Sequence, residues 1–346
     1  MPATGTEAAE HPNTPGRDKM GRVMDLDVVF IGTAGSVPTP RRGLPATLLR
    51  RGGDRVLVDC GEGTQRQLIR SVGLVEIDAL LITHFHADHV LGLPGLLKTY
   101  ALGARERPLA LHGPRGLERL LGVLAPVIGR LPFELHVSEL DAGEQLERDG
   151  YRLAAFEVEH RTRALGYALI ENERPGRFDE RLARELGVTP GPEFGRLQRG
   201  ETVAGVRPEQ VIGAPRPGRT VVLTGDTSPC AMTSAVAHRA DLLVHEATFA
   251  DDAANRARET GHSTALAAGE LAAAAEVKLL ALTHVSSRYA GGELRDEARG
   301  AFAASIVPHD FDRVEIPLPE RGEPEHVRAR DGRPSPTAEP SPASPG

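Results

Sequence analysis

The sequence predicts an α/β protein built as a layered sandwich. Short, nearly continuous apolar runs read as strands buried on both faces. Helical stretches interleave with them in both halves of the chain. The chain has 346 residues, 40% of them hydrophobic, enough for one large domain or two ordinary ones. Strands are expected over residues 25–32, 55–58, 79–83, 109–112, 152–158, 164–170, 220–224, 242–245 and 279–283. Helices are expected over 64–72, 116–127, 179–186 and 264–276, with Ser263 as N-cap of the last.

Residues 1–22 are polar without a hydrophobic period and read as a disordered N-terminal arm. Residues 319–346 are Pro- and Ser-rich and read as a disordered tail, leaving 23–318 as the folded body. One stretch breaks the alternation. Residues 171–200 are charged and punctuated by Gly and Pro, with few side chains to fill a core, so they read as a projecting arm long enough to suggest function.

Composition removes several function classes. With 4% aromatics and no Trp, a single-strand binder built on stacking platforms is not expected. Two Cys make neither a disulfide framework nor a Cys-rich zinc module, and Cys60 reads as a core residue. No apolar run approaches a membrane span, and the N-terminus lacks the apolar core of a secretory signal, so the expected compartment is the cytoplasm. Net charge of −7 argues against non-specific coating of nucleic acid. Between residues 40 and 70, however, seven Arg stand against three acids, which allows a local basic face.

The sharpest chemical feature is Thr83-His84-Phe85-His86-Ala87-Asp88-His89, directly after an apolar strand. On extended chain, residues i and i+2 share a face, so His84 and His86 can grip one ion from a strand end. Asp88 and His89 follow as the chain turns and face a second position. Imidazole and carboxylate suit zinc, manganese or iron. Two coordination spheres need more ligands, and His160, Asp226 and His284 each sit just beyond an apolar strand, on the edge where α/β folds build sites. Asp226 is the best candidate for a bridging carboxylate, with one oxygen for each metal. Arg288, close after His284, is placed to pair with a phosphate.

These residues together resemble the metallo-β-lactamase superfamily. Three further segments narrow the resemblance to the ribonuclease Z family, the tRNA 3′-processing endonucleases, in their short bacterial form: HEATF at 245–249, GHST at 261–264 and THVSSRY at 283–289. The 171–200 arm, with Gly191 and Pro192, is similar to that family's tRNA-binding arm. The resemblance implies a four-layer αββα sandwich and a cytoplasmic zinc phosphodiesterase that removes the 3′ trailer from precursor tRNA. It implies two Zn2+ per subunit, one held by His84, His86 and His160 and the other by Asp88, His89 and His284, with Asp226 bridging. It further implies Asp88 as proton acceptor, His262 as the group that protonates the leaving 3′ oxygen or stabilises the transition state, and Glu246 as its orienting partner. A homodimer is implied, with no membrane association. In the family the loop after the first strand reads P-T-K-x-R-N and helps reject tRNA that already bears CCA. Here Arg42 matches, but Pro40 and Gly43 replace Lys and Asn, so CCA discrimination by the usual contacts is not expected. Another binuclear hydrolase acting on small phosphodiesters or aryl esters is the alternative within the fold, and a metal-free RNA-binding relic the alternative outside catalysis. The arm speaks against the first and the complete ligand set against the second.

Overall fold

Two sheets organise the molecule. The computed structural model describes residues 25–329. The first sheet has eight strands in the order Glu325–Val327, Arg313–Glu315, Leu26–Gly32, Ala46–Arg51, Asp54–Val58, Ala79–Leu81, Leu109–Pro114 and Leu135–Leu140. The second has seven, in the order Ser305–Ile306, Leu279–Thr283, Leu242–Glu246, Thr220–Leu223, Leu165–Glu171, Tyr151–Glu157 and Gln145–Arg148. In the second sheet Thr220–Leu223, Leu242–Glu246 and Leu279–Thr283 run parallel, so their carboxyl ends reach one edge together.

Helices cover both sheets. Thr64–Arg70, Leu93–Leu102 and Leu117–Ile128 bury Leu68, Leu96, Leu97, Tyr100 and Leu117 against Leu48, Leu57, Leu80 and Leu111 of the first sheet. Each fully buried Leu contributes roughly 1.5–3 kcal/mol. Ala265–Ala274 and Gly292–Ala301 pack on each other and on the second sheet. This is the expected α/β sandwich.

The molecule divides into two units, one holding residues 170–218 with 147–152 and the other the two-sheet body. The smaller unit carries three short helices, Glu180–Glu185, Pro192–Gln198 and Pro208–Val211. It has a core of its own, made of Ala183, Val188, Phe194, Leu197, Val203, Val206 and Val211. This corrects the reading that few of these residues fill a core. The apolar side chains are spread over helices and turns, so no single period reveals them, and the structured stretch runs to Gly218 rather than 200.

Two further expectations change. The tail does not begin at 319: Glu325–Val327 pairs with Arg313–Glu315, and Asp312 accepts hydrogen bonds from His326 Nε2 (2.9 Å) and the Ala329 amide (2.8 Å). An open sheet edge takes up a short strand of any polarity, which composition cannot register. The N-terminal arm at 1–22 and the tail from 330 onward lie outside the described residues. The N-cap of Ala265–Ala274 is Thr264, which accepts from the Ala267 amide, whereas Ser263 Oγ donates to Thr227 O.

Candidate metal centre

His84 and His86 lie on extended chain beyond Ala79–Leu81, and His86 is the N-cap of the short helix Ala87–Val90, whose first turn carries Asp88 and His89. Asp226 follows Thr220–Leu223 and His284 follows Leu279–Thr283. A bridge between Glu159 and Ser228 brings His160 to the same edge. The seven side chains fall into two sets. His84 Nε2 and His160 Nε2 lie 2.9 and 3.3 Å from His86 Nδ1, with Asp226 Oδ2 3.7 Å from His84 Nε2. In the other set His284 Nε2 is 3.3 Å from Asp88 Oδ2 and 3.3 Å from Asp226 Oδ1, while His89 Nε2 is 3.3 Å from Asp226 Oδ1. Donors on a tetrahedron with bonds of about 2.0–2.1 Å stand about 3.4 Å apart, so both sets have the span of a metal shell. Asp226 turns one oxygen toward each. A third grouping, Asp226, His262 and His284, overlaps the second.

The donor atoms fit a cation. His89 Nε2 and Asp226 Oδ1 are both buried without a hydrogen-bond partner, a costly arrangement that an ion between them relieves. The opposite ring nitrogens explain why the lone pairs point inward. His89 Nδ1 donates to Asp59 Oδ2 at 2.7 Å, and His160 Nδ1 donates to Gly261 O at 2.7 Å. Thr83 Oγ1 gives its only proton to Asp59 and so accepts from His84 Nδ1 at 3.0 Å. Thr248 Oγ1 donates to Glu246 Oε2 at 2.7 Å and so accepts from His284 Nδ1 at 2.8 Å. In each of these four rings Nε2 is left as the free donor, the usual arrangement behind metal-binding histidines.

Asp59 lies outside the sequence motifs, and Thr83 and Thr248 lie within them with no role assigned there. Asp59 closes the apolar run RVLV, the placement that picked out Asp226, so the same criterion finds it. Asp59 and His284 both sit at positive φ, 62° and 56°, strain of the kind that collects at functional sites. Gly35 lies against His284, where a Cβ would fall 2.5 Å from Nδ1, so only glycine fits. The neighbouring Ser36 amide donates to Asp88 Oδ2 at 2.8 Å.

Burial opposes charge at Asp226, yet His284, His89 and His84 hold it well below the usual carboxylate range. Asp88 behaves likewise: burial works against its charge, and the neighbouring His284 and His89 imidazoles outweigh it. His262 Nδ1 donates to Glu246 Oε1 at 2.7 Å, and Glu246 is further fixed by the Thr227 and Thr248 amides. Burial disfavours the imidazolium, but Glu246, then Asp226 and Asp88, push its pKa up to about 9. The pair is therefore a cationic imidazole on a buried carboxylate, able to release a proton from Nε2.

The expected substrate contacts separate. Arg288 is exposed. Gly191 and Pro192 are exposed at the start of Pro192–Gln198, in the smaller unit. Arg42 is corrected. It is buried, with Nη1 donating to Thr33 Oγ1 (2.6 Å) and Pro308 O (2.7 Å), so it braces its loop from within. Cys60 is buried in the core, and burial pushes its thiol up to about 12.

Residues 40–284 match the family model described as the metallo-beta-lactamase superfamily. The chain is 49% identical to "Ribonuclease Z" of Halorubrum lacusprofundi, over 87% of this chain and 100% of the relative. It is 45% identical to "Ribonuclease Z" of Gemmatimonas aurantiaca, over 86% of this chain and 98% of the relative. Among solved structures, the short form of human tRNase Z aligns with a TM-score of 0.63 at 28% identity, covering 85% of this chain and 99% of that one. The chain belongs to the metallo-β-lactamase superfamily and, within it, to the ribonuclease Z family.

Proposed function

We propose that this protein is a metal-dependent endoribonuclease that removes the 3′ trailer from tRNA precursors, leaving a tRNA 3′-hydroxyl and a 5′-phosphate on the trailer. The observation that carries the reading is a His/Asp centre with two metal-sized sets beside the His262–Glu246 pair, in a chain 49% identical to a ribonuclease Z. Nitrogen and carboxylate ligands at this spacing suit two Zn2+ per subunit. When bound, such ions lower the pKa of a water and neutralise charge on the phosphate. The chain's own residues do the rest. Asp88 Oδ2 accepts from the Ser36 amide and belongs to the second ligand set beside His284 Nε2, so Oδ1 is the atom that takes the proton of the attacking water. His262 Nε2 delivers a proton to the departing 3′ oxygen, and Glu246 keeps that ring cationic and oriented.

The smaller unit, with Gly191 and Pro192, serves in this reading as a tRNA-binding arm, and Arg288 pairs with the scissile phosphate. The working form is a cytoplasmic homodimer. Among the described residues no helix is long and apolar enough to cross a membrane. Turnover of precursor tRNA and of bis-p-nitrophenyl phosphate by one preparation tests the reading. A far higher kcat/KM on the RNA supports it. A preference for the small diester favours a small-molecule hydrolase.

A further inference from the structure

We infer that Asp310 is a positioning residue of the metal centre: from outside the ligand shell, its carboxylate anchors the 33–36 strap that sets Asp88 and His284. This rests on the reading of those two residues as metal ligands given above. The hydrogen bonds of the Asp310 side chain run to Thr33, Gly43 and Gln67, none of them a ligand. The Thr33 amide (3.1 Å) and Oγ1 (2.7 Å) donate to one oxygen, and the Gly43 amide (2.6 Å) and Gln67 Nε2 (2.6 Å) to the other. Thr33 Oγ1 also accepts from Arg42 Nη1 at 2.6 Å, so a buried cation and a buried carboxylate grip one hydroxyl. The Ala34 amide donates to Gly43 O at 2.8 Å and closes the loop on itself. One carboxylate thus fixes both ends of the 33–43 loop and ties them to Thr64–Arg70, the helix that carries Gln67.

The strap carries that anchoring to the ligands. The Val285 amide donates to Thr33 O at 2.9 Å and the Gly35 amide to Val285 O at 3.0 Å, so the strap pairs with the residue that follows His284. Gly35 lies against the His284 ring, and the Ser36 amide donates to Asp88 Oδ2 at 2.8 Å. Ser36 has φ 60°, a conformation that a residue other than glycine keeps only where its surroundings over-determine it. Its own side chain is exposed, so the constraint comes from the anchors on either side. Both ligands that the strap touches belong to the second set. In the first set His84 and His160 are braced by Thr83 and Gly261 instead.

The charge at this position has its own cost. Burial pushes the Asp310 carboxyl up to about 6, against its hydrogen bonds and Arg42. Near neutral pH the carboxylate is therefore kept against desolvation, which a side chain serving packing alone has no need of. What the carboxylate adds over a neutral isostere is a second acceptor oxygen, and each of its two oxygens holds two donors.

Titration of the metal-free full chain with Zn2+ against a competing chelator tests the inference without any substrate. Wild type should show two binding steps. Asp310→Asn keeps the shape but offers one acceptor oxygen in place of two. In this variant one step should stay within about twofold of wild type and the other should weaken roughly tenfold, the lower end of what outer partners of metal ligands are worth. On precursor tRNA the same variant should lose roughly tenfold in kcat with KM unchanged. A second pair keeps the test decisive should Asp310→Asn not fold. Thr33→Val removes the shared hydroxyl at nearly constant shape and should weaken the same single step, and Thr33→Ser should restore it. Two unweakened steps in the folded variants, or equal weakening of both steps, overturns the inference. Failure of the metal-centre reading looks different: wild type itself then binds fewer than two Zn2+, and the inference falls with it.

Discussion

The metal centre and the unit of residues 170–218 are held by different physics. In the centre the side chains are polar and mostly buried, and four imidazoles have their outer nitrogen fixed by a named acceptor. In the smaller unit seven buried apolar residues form the core, and its ion pairs Arg181–Glu185 and Arg196–Glu201 are exposed. Exposed pairs of this kind contribute about 0–1 kcal/mol each. The contrast teaches where each region is vulnerable. The centre fails when a ring or carboxylate loses its orientation, even with packing intact. The smaller unit fails when its apolar packing is broken, even with every charge in place. Damage to the first should appear in kcat and damage to the second in KM.

The largest effect should follow from Asp88→Ala. Loss of the proton acceptor and of one edge of the second set is expected to lower kcat by roughly a thousandfold or more, with precursor binding kept. Precursor turnover within tenfold of wild type would remove Asp88 from its role. His262→Ala should cost roughly a hundredfold in kcat. The pH profile sharpens this point. His262 must be protonated to act as acid, so kcat/KM should fall as pH rises through about 9. Glu246→Gln removes the charge that raises this pKa, so the alkaline limb should move to lower pH; an unmoved limb would break the pairing.

In the smaller unit, Leu197 is fully buried, and Leu197→Ala should cost about 2–5 kcal/mol, a large fraction of so small a core. KM for precursor tRNA should rise roughly tenfold while hydrolysis of bis-p-nitrophenyl phosphate stays near wild type. A parallel loss of both activities would show that the two regions do not divide the work. The smallest effect concerns the 38–43 loop. Pro40 lacks an amide proton and a side-chain donor, and the Gly43 amide is spent on Asp310. Rejection of a CCA-bearing precursor should therefore be weak, and Pro40→Lys with Gly43→Asn should strengthen it a few-fold, read as kcat/KM on two precursors that differ only in an encoded CCA. Equal, strong rejection by both proteins would place discrimination elsewhere. A Cβ at Gly43 falls 2.7 Å from Gln67 Nε2, so the Pro40→Lys single variant is the control for distortion there.

What could be read from the sequence follows the same division. The strand ends were legible because buried strands leave unbroken apolar runs, and His84 and His86 were legible because i, i+2 spacing has one meaning on extended chain. Ala46–Arg51 was missed because its run ends in two Arg, and Arg51 is 2% exposed in the structure, against its usual preference. Asp59 is legible by the strand-end criterion that finds Asp226, whereas Thr83 and Thr248 act through hydrogen bonds to other side chains, and only the folded chain puts those partners together. Asp310, 277 residues from Thr33, is the extreme case. The small core around Leu197 escaped because its members follow neither a 3.6-residue nor a 2-residue period.

The most direct test of the tRNA-processing reading is incubation of the purified protein with an end-labelled precursor tRNA carrying a 3′ trailer, with and without a chelator, mapping the cut and its end groups. The expected outcome is one cut at the tRNA–trailer junction, with a 3′-hydroxyl on the tRNA and a 5′-phosphate on the trailer, abolished by the chelator and restored by Zn2+. Cleavage unaffected by metal removal, or no cleavage by Zn2+-loaded protein, would refute it.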